Sequence, residues 1–395
     1  MCKLRIILYL IFLSSISSIC AADYFNELRM ILQQDRYADV HHTEGAVLLK
    51  LGIESELASY LKGGAAVYGA LPIRSTPGEL LGPNGRADAI LGEAWIEIGS
   101  DSSSARIGRI RLDWPLLNSN DMSLMPNLFE AIDVHTRYDQ HWAFTLGHAR
   151  KMAGWENGSD PFAFVPISEA LYSSMPAFFA SPYASNNITV TLAGVNYNSE
   201  NQTAQIWGGR VSEIMNQAYF EITHSFDTAD IGFQILHQEM IGALKDYRNS
   251  GSAIGINHTI MGIDGAWHYD QSGLTFTAAY NQTWAKSHNQ SEGSPDLCYG
   301  SGDVLYTSGY YESAHSRHGA GGYKIGLEWG DSAFRELGMK AAYTDLVEHN
   351  IHFHETSVSL GEMIHEIAME GRIVHLTNGN EADSLQMRLL ASYSF

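Results

Sequence analysis

The chain has 395 residues, with 44 acidic against 24 basic side chains and a formal charge of −20. Such acidity argues against nucleic acid as a partner and favours solvated loops around a wet interior. Charged residues are nevertheless only 17% of the whole, so a polar lining in this protein is not a densely charged one.

Residues 1–22 read as a processing segment. Lys3 and Arg5 precede an apolar run at 6–13, and a small-residue stretch ends in Cys20-Ala21-Ala22, the pattern of a secretory signal cleaved before Asp23. Ile19 is too bulky for a lipidation signal at Cys20. Removing the two cations takes the charge from −20 to −22. Only Cys298 then remains, which excludes an intramolecular disulfide and a thiolate metal cluster. No later apolar run approaches the roughly 20 residues of a membrane helix. A soluble exported protein or a β-barrel is left, and no linker or composition break divides residues 23–395.

Residues 25–36 fit a first strand better than a short amphipathic helix. From Gly45 the two-residue period is clear: Val47, Leu49, Leu51 and Ile53 oppose Leu48, Lys50, Gly52 and Glu54. Alternate side chains of a strand leave opposite faces. The same period recurs at 60–71, with Lys62, Gly64, Ala66 and Tyr68 on one face. At 89–99, Ile90, Ala94, Ile96 and Ile98 alternate with Glu93, Trp95 and Glu97. It returns at 132–138, 142–147, 188–193, 274–284, 323–329 and 337–344. Long connections are expected at 116–127, 154–186, 246–252, 286–320 and 349–364. Six Asn-x-Ser/Thr triplets are what chance gives in an Asn- and Thr-rich chain and carry no function.

The last twelve residues, SLQMRLLASYSF, carry the pattern furthest. Phe395, Tyr393, Ala391, Leu389, Met387 and Leu385 share one face; the other is polar apart from Leu390. A transmembrane barrel uses about 10 residues of this alternation per strand, with aromatics at the interfaces. A soluble sandwich alternates too. Trp and Tyr near many segment ends, and Arg, Lys, Asp and Glu opposite the apolar faces, favour lipid outside and water inside. The fold expected is all-β: a single transmembrane antiparallel barrel.

One stretch is more specific. Residues 106–130, RIGRIRLDWPLLNSNDMSLMPNLFE, place Gly108-Arg109, Leu112-Asp113 with Pro115, Asn120-Asp121, Met125-Pro126-Asn127 and Phe129-Glu130 in sequence. This pattern resembles the OprD-type outer-membrane porins. The resemblance implies about 18 strands, short periplasmic turns, long extracellular loops, and one loop folded into the lumen. It further implies passive passage of small hydrophilic solutes, often carboxylates or amino acids, past lumen arginines. Guanidinium stays charged and offers a fork of donors to a carboxylate. On this chain the positions are Arg109 and Arg111 at the loop entry, then Asp113, Asn120 and Asp121 in the loop. Asp133 and Arg137 follow on the next strand, and Lys340 and Arg388 face inward further on. Glu93, Glu97, Asp133 and Glu328 read inward as well, so a cation preference is open. The terminal Phe395 resembles the signal read by the barrel-assembly machinery. Outer-membrane lipid and lipopolysaccharide are the expected surroundings, and homotrimer against monomer is left open.

Seventeen histidines raise a metal centre, with His349, His352 and His354 crowded beside Glu348 and Glu355, and His315 and His318 in another loop. No ligand spacing supports one. No Gly-x-Ser-x-Gly elbow or phosphate loop occurs, so neither an enzyme nor a cofactor is expected. The rival to a channel is a surface barrel acting as an adhesin without flux.

Overall fold

The computed structural model describes residues 22–37, 40–74, 80–82, 85–157, 160–171, 175–185, 187–252, 256–269, 273–285, 304–308, 320–330, 337–348, 351–364, 366–378 and 383–395. Residues 1–21, which hold all but the last residue of the expected signal segment, and Cys298, His315, His318 and His349 lie outside them.

Eighteen long strands run up and down in sequence order. They are β1 (Ala22–Tyr37), β2 (Val40–Ala58), β3 (Leu61–Arg74), β4 (Asp88–Gly99), β5 (Ser103–Ile110), β6 (Leu128–Arg137), β7 (Trp142–Ala153), β8 (Val190–Asn198) and β9 (Gln202–Val211). The ring continues with β10 (Met215–Phe226), β11 (Ala229–Met240), β12 (Asn257–Tyr269), β13 (Leu274–Ala285), β14 (Gly321–Gly330), β15 (Leu337–Glu348), β16 (Ile351–Ile364), β17 (Ile367–Asn378) and β18 (Ser384–Ser394). Every neighbouring pair is antiparallel. The ring closes where β1 meets β18, Glu27 opposite Ser394 and Tyr37 opposite Ser384. Closure leaves no sheet edge, the condition for a sheet in hydrocarbon, where an unpaired backbone group costs several kcal/mol.

The outer wall is apolar. Leu71, Ile98, Ile107, Leu146, Ile206, Ile263, Phe276 and Ile325 are exposed there, with Tyr24, Trp142, Trp267, Tyr269 and Phe395 toward the turn end and Trp284 and Tyr323 toward the loop end. Large side chains facing out from a sheet whose inner face holds Gln33, Lys50, Gln234 and Gln386 require lipid outside. On β18 the two faces fall as the alternation requires, and Leu390, its exception, packs inward on the cluster of Ile31, Leu48 and Tyr68.

Three expectations are corrected, at 351–364, on β8 and at Ile90. Residues 351–364 form strand β16 rather than a loop, paired with β15 and β17. Its inner face is Glu355, Ser357 and Ser359, so it lacks the hydrophobic contrast that marks a strand. The connection expected at 246–252 is present and carries a helix, α1 (Gly242–Asn249), which packs Tyr247 on Phe178 with ring centroids 5.7 Å apart. On β8 the faces are inverted. Val190 and Leu192 are buried inside with Trp207 and Met215, and Thr191 is exposed outside. Ile90 also turns inward, because a bulge in β4 between Leu91 and Glu93 shifts the alternation by one residue.

Candidate functional site

The connection from β5 to β6 folds into the bore. It begins with a two-residue ribbon, Asp113–Trp114 against Leu117–Asn118, turned at Pro115, whose ring presets φ for a tight turn. Ser119 Oγ accepts from Leu112 N at 3.1 Å, and Asn118 Oδ1 accepts from Asn120 N at 2.8 Å. Asn120 has φ +34°, a region that asparagine tolerates better than most residues. Trp114 lies flat on the inner wall, donating Nε1 to Asp133 at 3.2 Å. A Cβ on Gly147 would come within 1.8 Å of its ring, so glycine is what admits the tryptophan.

Beyond the ribbon, three arginines seize the loop tip. Arg29 on β1 donates Nη1 to Asp121 Oδ1 at 2.5 Å and to the Ser123 carbonyl at 2.8 Å. Arg111 donates Nη2 to Asp121 Oδ2 at 2.8 Å. Arg388 on β18 donates Nη1 to the Met122 carbonyl at 2.6 Å. Burial alone would raise the Asp121 carboxyl, but the hydrogen bonds and charges of Arg29 and Arg111 outweigh it and hold it below the usual range. Of the residues singled out in the sequence, Arg111, Asp121 and Arg388 therefore meet at one latch. Arg29 is the member the sequence did not disclose.

The other positions separate. Asn120 Nδ2 and Asn127 Nδ2 donate to the two oxygens of Glu156 at 2.8 and 2.7 Å, joining this loop to the next. Asp113 faces a cavity in the bore, Asp133 holds Trp114, and Lys340 pairs with Glu328 at 3.2 Å. Arg137 is exposed at the turn end. Arg109 shares the β5 face of the exposed Ile107. It donates to the Leu91 carbonyl at 2.9 Å and stacks over Phe164 at 4.5 Å, away from the latch.

A second segment enters the bore. Within residues 304–308, Thr307 N donates to Asn281 Oδ1 at 3.0 Å and Ser308 O accepts from Lys324 Nζ at 2.5 Å. Tyr306 comes to Gly232 beside Asp264, where any Cβ would collide with both. Burial, then Glu221 and Asp264, push its phenol far above the ordinary tyrosine value.

The latched loop divides the bore. On one side a cavity of about 470 Å³ lies between Asp113 and Asn118 and the wall residues Gln205, Tyr219 and Glu221. On another a cavity of about 260 Å³ runs from Met122 to Lys324, Glu328 and Lys340. The wall by β1 to β3 is filled instead. Lys50 pairs with Glu93 at 2.9 Å, and Tyr68 donates to the same carboxylate at 2.5 Å. No group of three or more His, Cys, Asp or Glu among the described residues is placed to hold a metal ion.

No family model matches the chain, and no curated protein matches it in sequence. Solved structures do. OprE of Pseudomonas aeruginosa superposes with TM-score 0.76 at 15% identity, over 95% of this chain and 98% of that one. The P. aeruginosa OpdK structure with vanillate gives 0.73 at 16%, over 94% and 98%. OccAB3 of Acinetobacter baumannii gives 0.75 at 12%, over 95% and 99%. The fold is that of the OprD-type porins. The strand number, the short-turn and long-loop ends and the inward loop of this chain are all features of that OprD-type barrel, reached at an identity that the sequence comparison does not register.

Proposed function

We propose that the protein is a passive outer-membrane channel for small hydrophilic solutes, with small carboxylates and amino acids as the class it passes. The carrying observation is the latch: Asp121 on Arg29 and Arg111, with Arg388 on the Met122 carbonyl, fixes the loop tip to the wall, and open space lies toward β8–β16. A loop held by two ion pairs and two carbonyl contacts is a fixed constriction, and a fixed constriction selects by size and by the charges facing the gap. Those charges are of both signs. Lys324 and Lys340 stand with Glu328 on one side, and Glu221 and Asp113 on the other. A carboxylate finds its partner on the lysine side, and an ammonium group on the same solute finds one on the acid side. The vanillate held by OpdK, a small aromatic carboxylate, agrees with that class.

The test is single-channel recording in planar bilayers, followed by liposome swelling with glycine, benzoate and neutral sugars. Stepwise current with faster entry of glycine or benzoate than of a sugar of equal size is expected. A folded barrel that gives neither current nor swelling would overturn the channel and favour the adhesin.

A further inference from the structure

On the outer wall, near the loop end of β5–β9, cations gather where lipid-facing strands are otherwise apolar. Arg150 and Lys151 both pair with Glu130, Lys151 at 3.8 Å. Their side chains are 64% and 41% exposed. His148 Nδ1 meets Thr191 Oγ1 at 2.9 Å, and Thr191 stands directly across from the exposed Arg210 on β9. Arg109 stands across from Glu130 on the other side. The inverted face of β8 is what brings Thr191 out to join this row. Arg150 and Lys151 thus flank one carboxylate, with Arg210 further along the same face, in a chain whose net charge is −20. The nearest further acid on this face is Glu239, two strands on from Arg210 through Asn216.

Directly beneath lies a groove of about 390 Å³, floored by Ile107, Gly108, Ala131 and Ile132 and rimmed by Glu130, His148 and Arg150. A charge on the lipid face is costly at the bilayer midplane, and the cost fades only near the interface. Retaining Arg150, Lys151 and Arg210 there needs an anionic counterpart in the headgroup layer, and guanidinium is the group best shaped for phosphate.

We propose that this patch is a binding site for the phosphorylated, multiply acylated glycolipid of the outer leaflet. Its phosphates sit on Arg150, Lys151 and Arg210, and one acyl chain lies in the groove over Gly108 and Ala131. Glu130 orients Arg150 and Lys151 and is not a phosphate contact. The long loops place this rim at the outer leaflet, where that glycolipid replaces ordinary phospholipid.

The test uses the full-length barrel purified in detergent, with native mass spectrometry of added diphosphoryl lipid A and, separately, phosphatidylglycerol. Wild type should retain lipid A about tenfold more strongly than phosphatidylglycerol, and Arg150→Ala/Arg210→Ala should lose about that factor. Arg36→Ala, on the outer wall of β1, should change nothing. Equal retention of both lipids, or no loss in the double variant, would overturn the site. Should the double variant not fold, Arg210→Gln and Arg150→Lys carry the comparison: the first should weaken retention and the second keep it, and any other order overturns the proposal. Channel current should be unaffected, so failure here and failure of the channel are separate results.

Discussion

Arg29 on the first strand holds Asp121 at 2.5 Å across 92 residues of sequence. Arg111 reaches the other oxygen of the same carboxylate. One anion thus ties the constriction loop to the barrel wall.

Asp121→Asn removes the charge but keeps the shape. It should strip Arg29 and Arg111 of the carboxylate they share, leaving Arg29 paired with Glu27, and free the loop tip. The expected outcome in planar bilayers is a larger, noisier unit conductance with the barrel still folded. Unchanged current would mean that the carbonyl contacts to Ser123 and Met122 suffice alone.

The same latch responds to acid. Asp121 titrates below an ordinary carboxyl, so its contribution is complete at neutral pH, begins to fade below the unfolded carboxyl value, and is lost as pH falls through the folded one. Conductance recorded from pH 7 downward should be flat and then rise at the acid end. A rise centred near neutrality would assign the change to histidine instead.

Lys50, Glu93 and Tyr68 form a buried network on the filled wall. Lys50→Met leaves the Glu93 carboxylate buried without its cation, at a cost of about 3–5 kcal/mol. Urea unfolding in lipid vesicles should show that loss, while Lys50→Met/Glu93→Gln should recover much of it. A double variant no better than the single one would remove the charge imbalance as the cause.

Trp114→Ala should loosen the ribbon by removing both its packing and its bond to Asp133, costing about 3 kcal/mol. Gly147→Leu should produce the same current noise from the opposite side, since a Cβ there strikes the indole. If only one of the two disturbs the current, the ring does not rest where it is placed.

Glu221→Gln with Asp113→Asn removes two acids from one side of the gap. Reversal potential in a KCl gradient should move toward anions, and Lys324→Gln with Lys340→Gln should move it the other way. Shifts of the same sign in both pairs would contradict two-sided selection.

The barrel was legible in the sequence wherever a strand kept strong contrast between its faces, as β2, β7, β13, β14 and β18 do. It was illegible where the inner face is short and hydroxylic, as with Ser357 and Ser359, or where bulges at Leu91–Glu93 and Glu130–Ala131 reset the alternation. The inverted β8 is a tertiary effect: the apolar loop packing inside gives Leu192 and Val190 an inner core to join. Of the site, the residues at 106–130 stood out by their spacing. Arg29 did not, because a lone arginine in a strand has no local mark, and its partner is chosen only by closure. Nor did residues 304–308, whose place depends on the wall they meet.

Arg29 and Arg388 lie on the two strands that form the seam, and both grip the same loop tip. The narrow passage is therefore completed only when the cylinder is. A chain halted before its final hairpin would present a wider mouth as well as an open flank, so biogenesis and permeability are checked by a single joint.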